Sequence, residues 1–136
     1  MTRRDLSPGA TGSATQIVRE TDLASALSPA HLDSFPGVFA TARMVALMEM
    51  AAARAMKEIL EDGEVTAGVS IDVTHTAATP PGATVTANAR FLGMEGKFYR
   101  FEVSASDDAG EVGRGSHRRA IVQHERLLQG AERRRK

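Results

Sequence analysis

The segment from Phe39 to Leu60 contains an apolar stripe with the period of an α-helix. Apolar residues recur there at steps of three and four, which places them on one side of a helix: Val45, Met48, Ala52, Ala55, Met56 and Ile59. The charged side chains gather on the opposite side: Arg43, Arg54, Lys57, Glu58 and Glu61. Such a helix has to bury its apolar stripe, so the rest of the chain must provide an apolar surface that covers it.

Glu49 is an exception to this separation of charged and apolar residues. At about 100° per residue it lies on the flank of the apolar face, near the line of Val45 and Met56. No other charged residue occurs between Met44 and Ala53. A carboxylate in that position loses hydration, a cost that calls for a partner or a chemical role. The alternative is a boundary residue bonded to a neighbouring backbone group.

After the helix the apolar period changes to two residues, which is typical of β-strands. Four segments show this alternation: 69–76, 83–91, 99–105 and 111–124. The links between them are short, which favours antiparallel pairing. Before the helix, residues 15–21 form a further short predicted strand.

One long helix and one antiparallel sheet predict an α+β protein. The helix, about 31 Å long, must bury its stripe against the sheet. A sheet wrapped around a single central helix is the hot-dog fold, and it fits better than a ferredoxin-like fold, which needs a second long helix. The single layer has exposed sheet edges, which predicts a homodimer.

The length of 136 residues predicts one domain with one core. We expect residues 1–13, which are rich in Gly, Pro, Ser and Thr, to be disordered. Residues 14–126 are expected to form the domain, and residues 127–136 a solvated basic tail.

The composition excludes several classes of protein. The formal net charge is zero, which gives no electrostatic basis for binding nucleic acid. The chain has no cysteine, which removes thiol nucleophiles, disulfides and thiolate metal sites. No apolar run is long enough for a membrane span or a secretory signal, so we expect a cytoplasmic protein.

His75 continues the apolar face of its strand at the strand end and has hydroxylic neighbours in Thr74 and Thr76. A carboxylate such as Glu49 and an imidazole that reach one cleft supply a nucleophile or base and a proton carrier. A hydrogen-bonded core histidine is the alternative.

Thr41 stands at the start of the helix, where threonine is a favoured N-cap. On a regular helix the eight residues from Thr41 to Glu49 span about 12 Å, too far for both to touch one carbonyl carbon. Either Thr41 precedes the helix and folds back, or it makes a separate contact.

The last strand contains Gly113 and Gly115, which allow another backbone or a ligand to approach closely. His117, Arg119 and Ile121 share the face of these glycines. Arg119 can hold a phosphate or a carboxylate, or else be a solvated strand residue. The four histidines lack metal-ligand spacing, and there is no nucleotide-binding glycine loop, so neither site is predicted.

Three segments, FPGVFATARMVALMEMAAARAM, VTHTAATPPG and GRGSHRRAIV, closely resemble the fluoroacetyl-CoA thioesterase family and its hot-dog relatives. The resemblance covers roughly residues 30–125. It implies a set of three catalytic residues and three residues that contact the substrate. The first of these contacts is a phenylalanine that acts as a gate. The catalytic set maps to Thr41, Glu49 and His75, and the contacts map to Phe35, Gly68 and Arg119.

The resemblance implies hydrolysis of a short acyl-CoA, with CoA as part of the substrate and no other cofactor. Glu49 is expected to attack the carbonyl or activate the attacking species, and His75 to move protons. One departure is Leu32, where the resemblance implies a second phenylalanine in the lid. The alternatives are a non-catalytic hot-dog module that binds acyl-CoA and a hot-dog hydratase or dehydratase.

Overall fold

One antiparallel sheet curls around a single long helix in the computed structural model, which describes residues 5–29 and 32–135. The elements in chain order are β1 Thr11–Ile17, α1 Thr41–Met56, β2 Glu64–His75, β3 Thr84–Glu95, β4 Phe98–Asp107, β5 Gly110–Gln123 and α2 His124–Arg133. The strands follow the order β1-β3-β4-β5-β2, and every neighbouring pair is antiparallel. The predicted α+β hot-dog arrangement is therefore confirmed.

The apolar side of α1 packs on the concave face of the sheet. Its buried residues are Met44, Leu47, Met48, Ala51, Ala52 and Met56. They meet a layer of small and aromatic strand residues that includes Phe91, Tyr99 and Phe101. The helix lies mainly over β1 and β3, so β2, at the opposite edge, has no fully buried residue.

Two glycines allow the helix to lie close to the sheet. A Cβ on Gly12 of β1 would stand 2.1 Å from the carbonyl oxygen of Ala51. A Cβ on Gly113 of β5 would stand 2.6 Å from Sδ of Met44, and 2.5 Å from the Thr74 carbonyl oxygen of β2. The close approach expected at Gly113 is thus made by the helix on one side and by the edge strand on the other.

The edge strand β2 contains a β-bulge. Gly68 is paired with Arg119, but Ser70 is already paired with Arg118, so Val69 is an extra residue without a partner. The strict alternation predicted across residues 69–76 therefore fails at Val69, which is 43% exposed. As a result, Gly68 is brought onto the helix-facing side of the strand.

One prediction about the ends of the chain is wrong. Residues 5–13 were expected to be disordered, but Leu6 is buried and β1 begins at Thr11, earlier than predicted. The part of that prediction that concerns residues 1–4 lies outside the described residues. Residues 127–133 of the expected solvated tail belong to the helix α2, which has no buried residue and whose leucines Leu127 and Leu128 are exposed. Within the described ranges, no helix is long and apolar enough to span a membrane.

A buried hydroxyl fixes the segment that follows β2. Thr79 is fully buried, and its hydroxyl donates a hydrogen bond of 2.7 Å to Oδ2 of Asp107, at the end of β4. The Thr79 carbonyl accepts a 2.9 Å hydrogen bond from the N–H of Phe39, just before α1. The Thr79 hydroxyl, followed by the N–H of Ala109, lowers the pKa of the Asp107 carboxyl.

We predict that Thr79→Val lowers the free energy of unfolding by about 1 kcal/mol at neutral pH, the usual net value of a hydrogen bond. Because the folded pKa of Asp107 is lowered, this stabilisation is present above the pKa of the unfolded chain. It is lost as the pH falls toward the folded value. Urea unfolding of wild type and variant at neutral and acidic pH measures the difference.

Thr76→Val is a matched control, because the Thr76 hydroxyl donates only a long 3.4 Å bond to a carbonyl, that of Val112. Its effect on unfolding should not depend on pH. A Thr79→Val penalty that is the same at all pH values would contradict the role of the Asp107 carboxylate.

Candidate active site

A cavity of about 480 Å³ opens between the start of α1 and the end of β2. Most of its lining is apolar and comes from the segment before α1: Ala24, Leu27, Phe35, Pro36, Val38, Phe39 and Ala40. The polar lining comes from Thr41, His75 and Thr76. Phe35 lines this cavity and is half-exposed.

Thr41 and His75 form one pair of candidate residues. Oγ1 of Thr41 and Nδ1 of His75 are 2.8 Å apart. Thr41 is the first residue of α1, whereas Ala40 occupies the N-cap position. The N-cap role considered for Thr41 is therefore wrong, because its hydroxyl contacts an imidazole from β2 rather than the backbone of its own helix.

Burial favours the neutral form of the His75 imidazole. Burial lowers its pKa below the ordinary value, with a backbone hydrogen bond to Ala77 acting in the opposite direction. Its second ring nitrogen, Nε2, is buried and has no hydrogen-bond partner among the described residues. A buried nitrogen of this kind is costly unless another group binds it.

Glu49 and Arg119 form the second pair. Nη1 of Arg119 donates a 2.8 Å hydrogen bond to Oε1 of Glu49. The Arg119 side chain is only 7% exposed, whereas that of Glu49 is 40% exposed. Arg119 holds a carboxylate of its own chain and is not a solvated residue. Arg119 is thus the partner that the position of Glu49 on the helix predicts. The substrate contact that the resemblance implies for Arg119 stays a prediction.

Gly68 provides the space for this ion pair. A Cβ on Gly68 would stand 2.3 Å from Oε1 of Glu49 and 3.4 Å from Nη1 of Arg119. Because the bulge turns Gly68 toward the helix, only a residue without a side chain leaves the pair undisturbed.

The two pairs do not meet within one chain. Thr41 and Glu49 both belong to the regular helix α1, where eight residues span about 12 Å. Glu49 does not line the cavity that contains Thr41 and His75. The expectation that Glu49 and His75 reach one cleft is therefore not met by a single subunit.

Two residues that contact the second pair, Thr66 and His117, were not predicted from the sequence to have a role. Thr66 accepts hydrogen bonds from Arg119 through its hydroxyl and its carbonyl, both at 3.0 Å. His117 is buried beside Arg119, on the face that the alternation predicts. Among the described residues, no group of three or more acidic, histidine or cysteine side chains is placed to hold a metal ion.

Residues 18–125 match the family model of the fluoroacetyl-CoA-specific thioesterase FlK. A fluoroacetyl-CoA thioesterase from Streptantibioticus cattleyicolor is 52% identical over 93 residues, which are 68% of this chain and 67% of that protein. A solved structure of a phenylalanine-to-alanine variant of FlK with fluoroacetate and CoA is 42% identical. It has a TM-score of 0.81 and covers 88% of this chain and 98% of that chain.

A hot-dog-like protein from Thermanaerovibrio acidaminovorans is 23% identical, with a TM-score of 0.79 over 95% of this chain and 93% of that chain, a likeness of fold alone. The family match spans most of the chain and contains both pairs of candidate residues. The chain therefore belongs to the fluoroacetyl-CoA-specific thioesterase family and is an acyl-CoA thioester hydrolase.

Proposed function

We propose that this hydrolase cleaves fluoroacetyl-CoA or a similarly small acyl-CoA to the free acid and CoA. The observation that carries the proposal is the small apolar cavity with Nε2 of His75 beside it, a buried nitrogen that has no partner in the part of the chain that the structure describes. A module that only binds acyl-CoA has no need for that imidazole or for the Glu49 carboxylate. CoA enters as part of the substrate, so no further cofactor is proposed, and the cytoplasm stays the predicted location.

Glu49 is the group that acts on the thioester carbonyl. Its Oε1 is occupied by Arg119, and Oε2 has no hydrogen bond among those described. Oε2 is free either to attack the carbonyl carbon or to activate a water molecule that does so. Direct attack expels the CoA thiolate and forms a mixed anhydride, which water then hydrolyses to the acid and the restored carboxylate.

His75 and Thr41 act on protons and on the acyl group. The lowered pKa keeps the imidazole neutral at neutral pH, so it can take a proton from water or from the acidic carbon beside the carbonyl. It can then deliver a proton to the departing thiolate. Thr41 holds the ring through Nδ1, so Nε2 is the nitrogen left for this exchange.

A homodimer with a site shared between subunits unites the two pairs. β2 is an edge strand of 12 residues, and its half-buried face is only partly covered by α1. An edge of this length invites pairing with a second copy. Antiparallel pairing of two β2 strands about a two-fold axis between Ile71 and Asp72 sets His75 opposite Gly68 of the partner subunit, and so beside Glu49 of the partner subunit.

Removal of either ionisable group tests the catalytic roles. We predict that Glu49→Gln and His75→Ala each lower kcat for thioester hydrolysis by at least about 10²-fold, the usual size of an acid–base contribution. The double variant should be little worse than the poorer single variant, because groups that act as a unit are not additive. Release of free thiol measures the rate, and calorimetry with a non-hydrolysable acyl-CoA analogue measures the affinity.

Thr41→Ser is the milder control, since it keeps the hydroxyl that contacts His75. Turnover that survives in both single variants, with unchanged affinity for the analogue, would leave Glu49 and His75 as structural residues.

Mixing the two inactive variants tests the shared site. In a mixed dimer, His75 of the Glu49→Gln chain faces Glu49 of the His75→Ala chain, so one intact site is restored. Co-refolding in equal amounts should return about a quarter of wild-type activity, because half of the dimers are mixed and each has one intact site of two. Light scattering should report a dimer. No recovery in a preparation shown to contain mixed dimers would mean that each subunit works alone.

The half-exposed ring of Phe35 is proposed as the gate of the cavity. We predict that Phe35→Ala reduces the ratio of kcat/KM for fluoroacetyl-CoA over acetyl-CoA more than it reduces overall hydrolysis. If Phe35 were only a packing residue, the variant would lower the melting temperature and leave the ratio unchanged. Leu27→Ala, which trims another apolar side chain of the same cavity, is the matched control and should change the ratio less.

A further inference from the structure

His117 lies beneath the Glu49–Arg119 pair and is 1% exposed. Its Nδ1 is 2.8 Å from the carbonyl oxygen of Ser70, the residue that follows the bulge in β2. Its Nε2 is 3.1 Å from Nη1 of Arg119. Both ring nitrogens are therefore engaged.

These partners determine the tautomer of His117. The Ser70 carbonyl can only accept a hydrogen bond, so Nδ1 must carry the proton. The Arg119 guanidinium can only donate, so Nε2 must present its lone pair. His117 is therefore the neutral Nδ1–H tautomer. Burial, aided by the charge of Arg119, lowers its pKa, while Ser70 and Glu49 act in the opposite direction.

The acceptors around Arg119 set the plane of its guanidinium. Nε donates to the Thr66 hydroxyl and Nη2 to the Thr66 carbonyl. Nη1 divides its two N–H groups between Oε1 of Glu49 and Nε2 of His117. His117 is thus the acceptor that holds Nη1 on the side away from Thr66, and it fixes the direction of the N–H that reaches Glu49.

We propose that His117 is a positioning residue for hydrolysis: its neutral imidazole holds Arg119 so that Nη1 occupies Oε1 of Glu49 and leaves Oε2 directed to the substrate. The proposal rests on the proposed role of Glu49, through which His117 acts. A carboxylate held by one oxygen keeps its orientation, and a misplacement of about 1 Å at a reacting group can cost about 10² in rate.

Two variants separate positioning from structural support, because each keeps one half of the imidazole. His117→Asn places an amide N–H near the position of Nδ1 and preserves the bond to Ser70, but it is too short to reach Arg119. His117→Gln extends an amide oxygen toward the position of Nε2 and preserves the acceptor for Arg119, but it leaves the Ser70 carbonyl unpaired. A positioning role therefore predicts that His117→Asn loses much more kcat than His117→Gln, whereas a structural role predicts no such difference.

We expect His117→Gln to retain most of the wild-type kcat and His117→Asn to lose about tenfold or more, with little change in KM for acetyl-CoA. The melting temperatures of both variants should fall, because His117→Asn leaves an N–H of Arg119 unpaired and His117→Gln leaves the Ser70 carbonyl unpaired, so kcat is measured well below both melting temperatures. If the two variants lose kcat equally, or if His117→Gln loses more, His117 is a structural residue and the proposal is wrong.

Nitrogen-15 NMR of the wild-type protein tests the tautomer without any variant. We expect a neutral His117 with the proton on Nδ1 at neutral pH, and an imidazolium or an Nε2–H tautomer would overturn the proposal. Glu49→Gln is assayed beside the His117 variants. Full turnover in Glu49→Gln would refute the proposed mechanism itself, whereas its loss together with equal kcat values for the two His117 variants would refute only the role of His117.

Discussion

The structure depends on how one helix covers a sheet of five strands. An α-helix is about 10 Å wide, and two strands lie about 4.8 Å apart, so α1 cannot cover all five. It packs on β1 and β3, where Gly12 lets the backbones approach, and leaves the edge strand β2 half-covered. The candidate active site lies along this half-covered edge. The same shortage of cover leaves room for a substrate and for the proposed second copy.

Burial of charge determines the arrangement of the second pair of candidate residues, Glu49 and Arg119. Glu49 on the flank of α1 and Arg119 on β5 are held together where water is partly excluded, and an unpaired charge at either position is costly. The arginine is surrounded by acceptors from Thr66 on β2, His117 on β5 and Glu49 on α1. This network orients a carboxylate with one oxygen left unbound. Such an arrangement suits a nucleophile or base better than a simple structural ion pair.

The first pair of candidate residues, Thr41 and His75, depends on a different contact. Thr41 at the start of α1 and His75 at the end of β2 meet because the segment between β2 and β3 is tied down by Thr79, which bonds both Asp107 and the backbone of Phe39. The apolar cavity lies next to this junction. Most of its walls come from the segment before α1 and not from the sheet.

The sequence by itself determined the helix, the strands after it and the hot-dog fold, because the three- to four-residue and two-residue periods can be recognised from neighbouring residues. It also placed Glu49 at the boundary of the apolar face, where a partner was required. The tertiary structure alone decided which partner that is and that Thr41 contacts His75, 34 residues away, rather than capping its helix. The bulge at Val69 was also invisible in the sequence, because a bulge is defined by the register with β5 and not by the strand that contains it. The bulge is the reason that Gly68 faces Glu49. Contacts of this kind between distant segments depend on the pairing of strands, which local periodicity does not encode.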